Sequence, residues 1–378
     1  MLYDDGENST ARRTLTASAR LLRRLHLDGP LLAALAAVVA FGLFVLFSAT
    51  GENLSMWTSQ LERLALAIVA LVLLAQVPPA WLKRVSPILY VLGVLLLLAV
   101  MVHGDVGKGA QRWLVVGPLR FQPSELMKLG VPMMCDWYLH DRPLPPSLRD
   151  VTVVLAIIAV PALIIAKQPD LGTALLIGSA GILVVFLAGL STVVIVAGLT
   201  LLGAAVPVAW HFMHDYQRQR VLMFLDPSQD PLGAGYHSIQ SQIAIGSGGM
   251  FGKGWMNGSQ AQLEFLPERS TDFIFAVIGE ELGLLGQLFL VGLYLTVIGR
   301  ALYMASEAQD TYARLVCGSF ALTFFVYVFV NTGMVAGILP VVGVPLPLVS
   351  YGGTAMVTLM ASFGVLMSLN RHRKLIGS

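Results

Sequence analysis

Long apolar runs separated by short polar interruptions set the pattern of this chain from residue 31 to residue 369. A helix that crosses a membrane needs about 20 mostly apolar residues, because every backbone polar group must be paired within the hydrocarbon. Ten runs meet that requirement, near 31–49, 61–77, 86–103, 122–139, 151–168, 172–189, 192–210, 272–298, 313–333 and 352–369. The pattern predicts an all-α fold class: a polytopic membrane bundle of about ten transmembrane helices in a single domain over 1–378. An even number of spans places both termini on one side. The first run follows an arginine-rich segment, as the core of a signal peptide would, but it is long enough to span and many like it follow. It is therefore expected to be retained.

One polar stretch breaks the rhythm. Residues 211–271 form a loop of about 60 residues before the eighth span, where connections beyond about 15 residues are usually functional or disordered. Tyr236, Ile239, Ile243, Ile245, Phe251, Trp255, Leu263, Phe265 and Leu266 interleave with turn signals such as Asp-Pro at 226 and 230, which predicts short interfacial helices folded back onto the bundle. No internal repeat is evident, which disfavours the inverted-repeat transporter folds.

Composition agrees, with 56% hydrophobic and 12% charged residues and a mean hydropathy of +0.75. The net charge of +2 leaves no basic surface of the kind that tracks nucleic acid, so charges are read by position. In the short loops and terminal segments, fourteen Lys and Arg fall on the side of the termini and six on the other, which makes 1–30 and 370–378 cytoplasmic and 211–271 extracytoplasmic. Cys135 and Cys317 fall near cytoplasmic span ends and imply no disulfide, and no zinc-binding spacing occurs.

Intramembrane and interfacial charges are expensive and mark candidate chemistry. Glu125 and Lys128 stand at i and i+3 on one face of the fourth span, as an ion pair with either a structural or a substrate role. Asp170 lies in a tight turn between two spans. Arg112 and Trp113 join a cation to an interfacial aromatic, which suits headgroup anchoring or the grip of a diphosphate. Arg218 and Arg220 lie outside, where the positive-inside rule cannot explain them, and a substrate phosphate is the favoured partner. The run Gly246 to Trp255 lacks the Walker spacing, so its glycines are expected to permit close approach to the bundle or to a substrate. Asp272 sits where the long segment enters the eighth span, with Thr271 placed to cap that helix; the alternative for Asp272 is a capping or dipole-compensating acid. Glu280 and Glu281, about two turns deeper, require partners or a wet cavity.

Six stretches together resemble the SEDS glycosyltransferases, the family of shape, elongation, division and sporulation. They are Lys108-Gly-Ala-Gln-Arg-Trp-Leu, Arg120-Phe-Gln-Pro-Ser-Glu, Gln168-Pro-Asp-Leu-Gly-Thr, Asp215-Tyr-Gln-Arg-Gln-Arg, Leu263-Glu-Phe-Leu-Pro-Glu-Arg-Ser-Thr-Asp-Phe-Ile-Phe, and Gly337 through Gly353. Val342 stands where the division branch has lysine, which favours the elongation branch. The resemblance implies ten spans with cytoplasmic termini in the bacterial inner membrane and polymerisation of lipid II, a disaccharide-peptide on undecaprenyl diphosphate, on the periplasmic face. It implies work beside a class B penicillin-binding transpeptidase and other elongation-complex membrane proteins. The proposed catalytic aspartate of the family falls on Asp272. The substrate-binding set read with it is Arg112, Trp113, Glu125, Lys128, Asp170, Arg218, Arg220, Gln240 and Ser350. Arginines, Lys128 or a divalent cation such as Mg or Mn would neutralise the leaving diphosphate. A lipid II flippase and a non-catalytic scaffold for the transpeptidase are the rival functions; a carboxylate at the outer boundary and a folded outer segment favour the enzyme.

Overall fold

The computed structural model of the chain describes residues 25–107, 110–116, 119–213, 218, 222, 235–263, 265–266 and 268–371. Each of the ten apolar runs is occupied by a helix. In chain order the elements are α1 (Gly29–Ala49), α2 (Leu54–Ala75), α3 (Pro79–His103), β1 (Asp105–Gly107), β2 (Ala110–Val116), β3 (Leu119–Phe121), α4 (Pro123–Leu139), α5 (Leu148–Lys167) and α6 (Leu171–Leu187). They continue with α7 (Thr192–Phe212), α8 (Tyr236–Gly248), α9 (Ser259–Gln262), α10 (Ile274–Ser306), α11 (Thr311–Val335) and α12 (Thr354–Arg371). Among the described residues six helices, α1, α2, α3, α5, α10 and α11, are by themselves long and apolar enough to cross a membrane.

Local chemistry sets the starts. Asp28 accepts from Leu31 N (3.0 Å) with Pro30 in the first turn of α1, Asn53 caps α2, and Ser147 and Asp150 form a reciprocal capping box on α5. The helices then bury one another: α2 lies along α12, α1 and α11 along α10, and α6 against α4, α5 and α11. Leu31, Leu35, Val38, Val297, Val316, Phe324 and Leu366 are among the side chains that fill the largest core. α7 stands at the edge, with Val193, Val196, Leu199 and Leu201 exposed.

Side-chain contacts and a small sheet join connections at the two ends of the helices. At one end Arg300 makes a bidentate pair with Asp28 (3.0 and 2.7 Å), and Gln76 Nε2 donates to Leu25 O (2.5 Å). At the other, β1, β2 and β3 form a small antiparallel meander that pairs Asp105 with Trp113 and Leu114 with Phe121. This meander was not anticipated; it decorates an otherwise all-α bundle.

The eighth run departs most from expectation. Instead of one span over 272–298, α10 is broken at Gly283, which adopts φ 66° and ψ −165°. Residues 284–306, about 35 Å long at 1.5 Å per residue, form the spanning part. Residues 274–281 form a separate stub that is buried throughout. A break leaves carbonyls and amides without helical partners. The loop after α8 supplies them: Lys253 N and Gly254 N donate to Glu280 O (2.9 Å) and Glu281 O (3.0 Å), while Leu284 N and Leu285 N donate to Gly249 O (2.9 Å) and Met250 O (3.2 Å). Gly252, at φ 80°, comes so close that a Cβ there would collide with the Glu281 carbonyl. Close approach to the bundle is thus what the glycine run provides.

Candidate active site

The turn that carries Asp272 is built from backbone bonds. Thr271 N and Phe273 N donate to Glu268 O (3.0 and 3.3 Å), and Glu268 takes a positive φ of 54°. The expected capping by Thr271 is not found: its hydroxyl turns back to Glu268 O (3.2 Å) and Oε2 (2.8 Å), and α10 begins after Phe273 without a side-chain cap. Asp272 immediately precedes Phe273, the N-cap position of α10.

Residues 340–352 lie beside this turn. Gly343 is near enough that a Cβ there would stand 3.6 Å from Asp272 Oδ2. Ser350 Oγ donates to Thr271 O (2.5 Å) and accepts from Leu346 N (2.8 Å), and Tyr351 N donates to Ser270 O (2.8 Å). Ser350 thus bonds to backbone on two sides. Asn331 on α11, fully buried, donates to Asp272 O (2.8 Å) and Val344 O (2.6 Å).

The same segment forms one side of two further groups. Lys128 and Glu125 make the expected i, i+3 pair (2.6 Å), both nearly buried, with Lys128 Nζ 5.0 Å from the centre of the Tyr327 ring. A small cavity here is lined by Lys128, Tyr327, Leu346, Ser350, Gly352 and Met356. Glu125 Oε2, the second oxygen of the pair's carboxylate, is buried with no hydrogen-bond partner among the described residues. Asp170 caps α6 by accepting from Thr173 N (3.2 Å) and stands 3.4 Å from Arg112 Nε, while Arg112 also donates to Pro169 O (2.9 Å). Gly172, just after Asp170, packs directly on the Val342 carbonyl. Asp272, the Lys128 pair and the Asp170–Arg112 pair thus share one wall.

Other expected residues lie elsewhere or do other work. Trp113 is half-buried on β2, and Gln240 is half-buried on α8. Arg218 donates to Trp210 O (3.1 Å) and His211 O (2.9 Å), closing the end of α7 in addition to any role toward phosphate. Arg220 lies outside the described residues. Glu280 accepts from Lys253, Ser259 and the amides of Gln260 and Ala261, and Glu281 accepts from Ser48 Oγ (2.6 Å), so both have the partners their burial demands. Among the described residues no group of three or more His, Cys, Asp or Glu could hold a metal. Reasoning from sequence missed Tyr327, Asn331 and His237. His237 stacks on Phe273 with ring centroids 5.7 Å apart. Tyr327 and Asn331 did leave a signal, polar residues at helical spacing in an apolar run.

Comparison with known proteins gives one consistent answer. A family model described as "Cell cycle protein" (FTSW_RODA_SPOVE) matches residues 29–375. The peptidoglycan glycosyltransferase MrdB of Escherichia coli K12 is 52% identical over 354 residues, covering 93% of this chain and 96% of that one. A probable peptidoglycan glycosyltransferase FtsW of Trichlorobacter lovleyi is 34% identical over 370 residues, covering 93% and 95%. Among solved structures, a chain from a peptidoglycan synthase complex that coordinates polymerization and crosslinking superposes with a TM-score of 0.82 at 33% identity, covering 92% and 98%. The rod shape determining protein RodA of Thermus thermophilus superposes with a TM-score of 0.70 at 30% identity, covering 92% and 97%.

Proposed function

This chain belongs to the FtsW, RodA and SpoVE family of cell cycle proteins, and on that basis we propose that it is a peptidoglycan glycosyltransferase that polymerises lipid II during cell elongation. The relative with 52% identity across nearly both full lengths carries that reading, since both chains share the whole bundle rather than one segment. The protein is embedded in a membrane. The inner membrane, with the Asp272 end facing the periplasm, is the orientation that the distribution of Lys and Arg supports.

Asp272 acts as the general base. Its carboxylate takes the proton from the acceptor 4-hydroxyl as that oxygen bonds to the donor anomeric carbon, and the bond to diphosphate breaks on the opposite face. A carboxylate at the outer boundary, facing Gly343 of the 340–352 segment, suits this task. Diphosphate needs charge neutralisation more than protonation, and Lys128, beside the 340–352 segment, and Arg112, paired with Asp170, are the cations we assign to that charge. The products leave as an extended glycan strand, which a class B transpeptidase partner cross-links. The structural relative taken from a synthase complex supports pairing of this kind.

The test is polymer formation from lipid II by purified protein with and without the transpeptidase. Wild type should form polymer, and Asp272→Asn should lose at least about 100-fold, the lower end of general-base contributions. Polymer from neither protein would favour the flippase or scaffold. Polymer from both within a few-fold would move the base elsewhere, with Asp170 next in line.

A further inference from the structure

The geometry points to Asn331 as the residue that positions Asp272 for proton transfer, acting through the Asp272 backbone and not through substrate. This rests on Asp272 being the base. The inference starts from an unusual concentration of bonds on a short non-helical turn. The carbonyls of Ser270, Thr271 and Asp272, three in succession, are held by Tyr351 N (2.8 Å), Ser350 Oγ (2.5 Å) and Asn331 Nδ2 (2.8 Å). With those three oxygens fixed, the main chain from which the Asp272 side chain projects is held in place.

The three anchors differ in what holds them. Ser350 and Tyr351 belong to the irregular 340–352 segment, which itself needs support. Gln60 on α2, also buried, gives some of it by donating to Ser350 O (3.3 Å) and accepting from Gly352 N (3.3 Å). Asn331 alone projects from within a long packed helix, α11, and it ties the two stretches to each other by its second bond to Val344 O (2.6 Å). Two carbonyls facing one side-chain terminus require the NH2 there, which fixes the orientation of the amide. Val344 follows Gly343, the residue that faces Asp272 Oδ2. One amide therefore sets both the height of Asp272 and the distance of the wall opposite its carboxylate. A functional group supported on a rigid helix is held more closely than one supported by loops. A displacement near 1 Å can cost about 100-fold in rate.

Asn331→Leu removes both donors at similar volume. The expected result is a kcat about 10- to 100-fold lower with KM for lipid II within about two-fold of wild type, because the substrate-gripping groups are untouched. Hydrogen exchange should rise at 268–273 while the rest of α11 keeps its protection. In an Asp272→Asn background the same substitution should lower the residual rate by less than about two-fold, since there is no base left to misplace. Asn331→Ser, which keeps one donor in less volume, should give an intermediate kcat and carries the test if the leucine variant does not fold. A wild-type kcat in Asn331→Leu, with Asp272→Asn inactive, overturns the positioning role alone. A loss that multiplies fully onto Asp272→Asn, or exchange that rises along all of α11, assigns Asn331 to bulk stability and overturns it too. Wild-type activity in Asp272→Asn overturns the base assignment and takes this inference with it.

Discussion

Glu280→Gln should loosen the outer layer of the protein without unfolding the spans. The Glu280 carboxylate is fully buried and collects four donors: Lys253 Nζ (2.7 Å), Ser259 Oγ (3.2 Å) and Gln260 N (2.9 Å) on Oε1, and Ala261 N (3.2 Å) on Oε2. Glutamine offers one acceptor oxygen. If it stays toward Lys253, the new NH2 confronts the Ala261 N–H, and that buried donor is orphaned at about 1–3 kcal/mol. The Lys253 bond meanwhile loses its ionic character, worth about 1.5–3 kcal/mol between charged and neutral partners and here toward the low end because the lysine is 29% exposed. The expected cost is about 2–4 kcal/mol, or roughly 30- to 1,000-fold more local opening. Amide exchange measured by mass spectrometry should therefore quicken in 253–262, with the detergent melting temperature lowered. Polymerisation should fall in step, because Arg269 bonds to Ala261 O and links this layer to the turn of Asp272. Unchanged exchange at Gln260 and Ala261 would refute the reasoning, since no other outcome is compatible with Glu280 holding those amides.

Lys128→Met should abolish polymer formation in protein that still folds, with a lowered melting temperature in detergent because the nearly buried Glu125 loses its counter-charge; normal synthesis would reduce the pair to a structural role. Glu125→Gln leaves a nearly buried ammonium without its counter-charge and should lower both activity and melting temperature, by about 3–5 kcal/mol if the pair is as dry as its burial indicates. Gly252→Ala places a Cβ against the Glu281 carbonyl at a φ of 80°, so it should destabilise by more than about 1 kcal/mol, read as faster exchange at Lys253 and Gly254. Arg300→Gln strands the buried Asp28 carboxylate at the opposite end, and a drop of about 1–3 kcal/mol in detergent stability with polymerisation per folded molecule intact would separate that end from the chemistry.

The spans were legible because the membrane leaves few alternatives: about 20 apolar residues without a break can pair their backbone only as helix. Helix edges followed from capping residues such as Asp28, Asn53 and Ser147, which act locally. The break at Gly283 was not legible, since Leu282-Gly-Leu-Leu continues the apolar pattern and the bonds that stabilise the break come from 249–254, some 30 positions earlier. The β meander escaped for a related reason, two of its strands being three residues long and too short for an alternating signature. Lys128 with Glu125 could be found from spacing because both partners lie on one helix. Asn331 left only its polar place in an apolar run, and its partners could not be read, because Asn331 and Gln60 each bond to backbone from distant segments and backbone has no signature in the sequence.

That distinction explains how a site with few ionisable groups is put together in a largely apolar bundle. Asp170 and Gly172 come from the start of α6, Lys128 from α4, Tyr327 and Asn331 from α11, and Asp272 from the turn before α10. Few of these elements meet through their functional side chains, as Lys128 does over Tyr327 and Asn331 on the Asp272 carbonyl, whereas the irregular segment 340–352 reaches them all. It offers the Val342 carbonyl to Gly172, Gly343 to Asp272, Val344 O to Asn331, and Leu346 and Ser350 to the cavity beside Lys128. Three prolines at 340, 345 and 347 lack amide donors, and they keep this stretch from becoming helix while lowering the number of backbone groups that must be satisfied at depth. Irregular backbone is tolerated there because helices and buried side chains surround it, and its remaining carbonyls become attachment points. The spatial relation of base to cations is thereby fixed through one strand of main chain, so substitutions far apart in sequence should act on the same step.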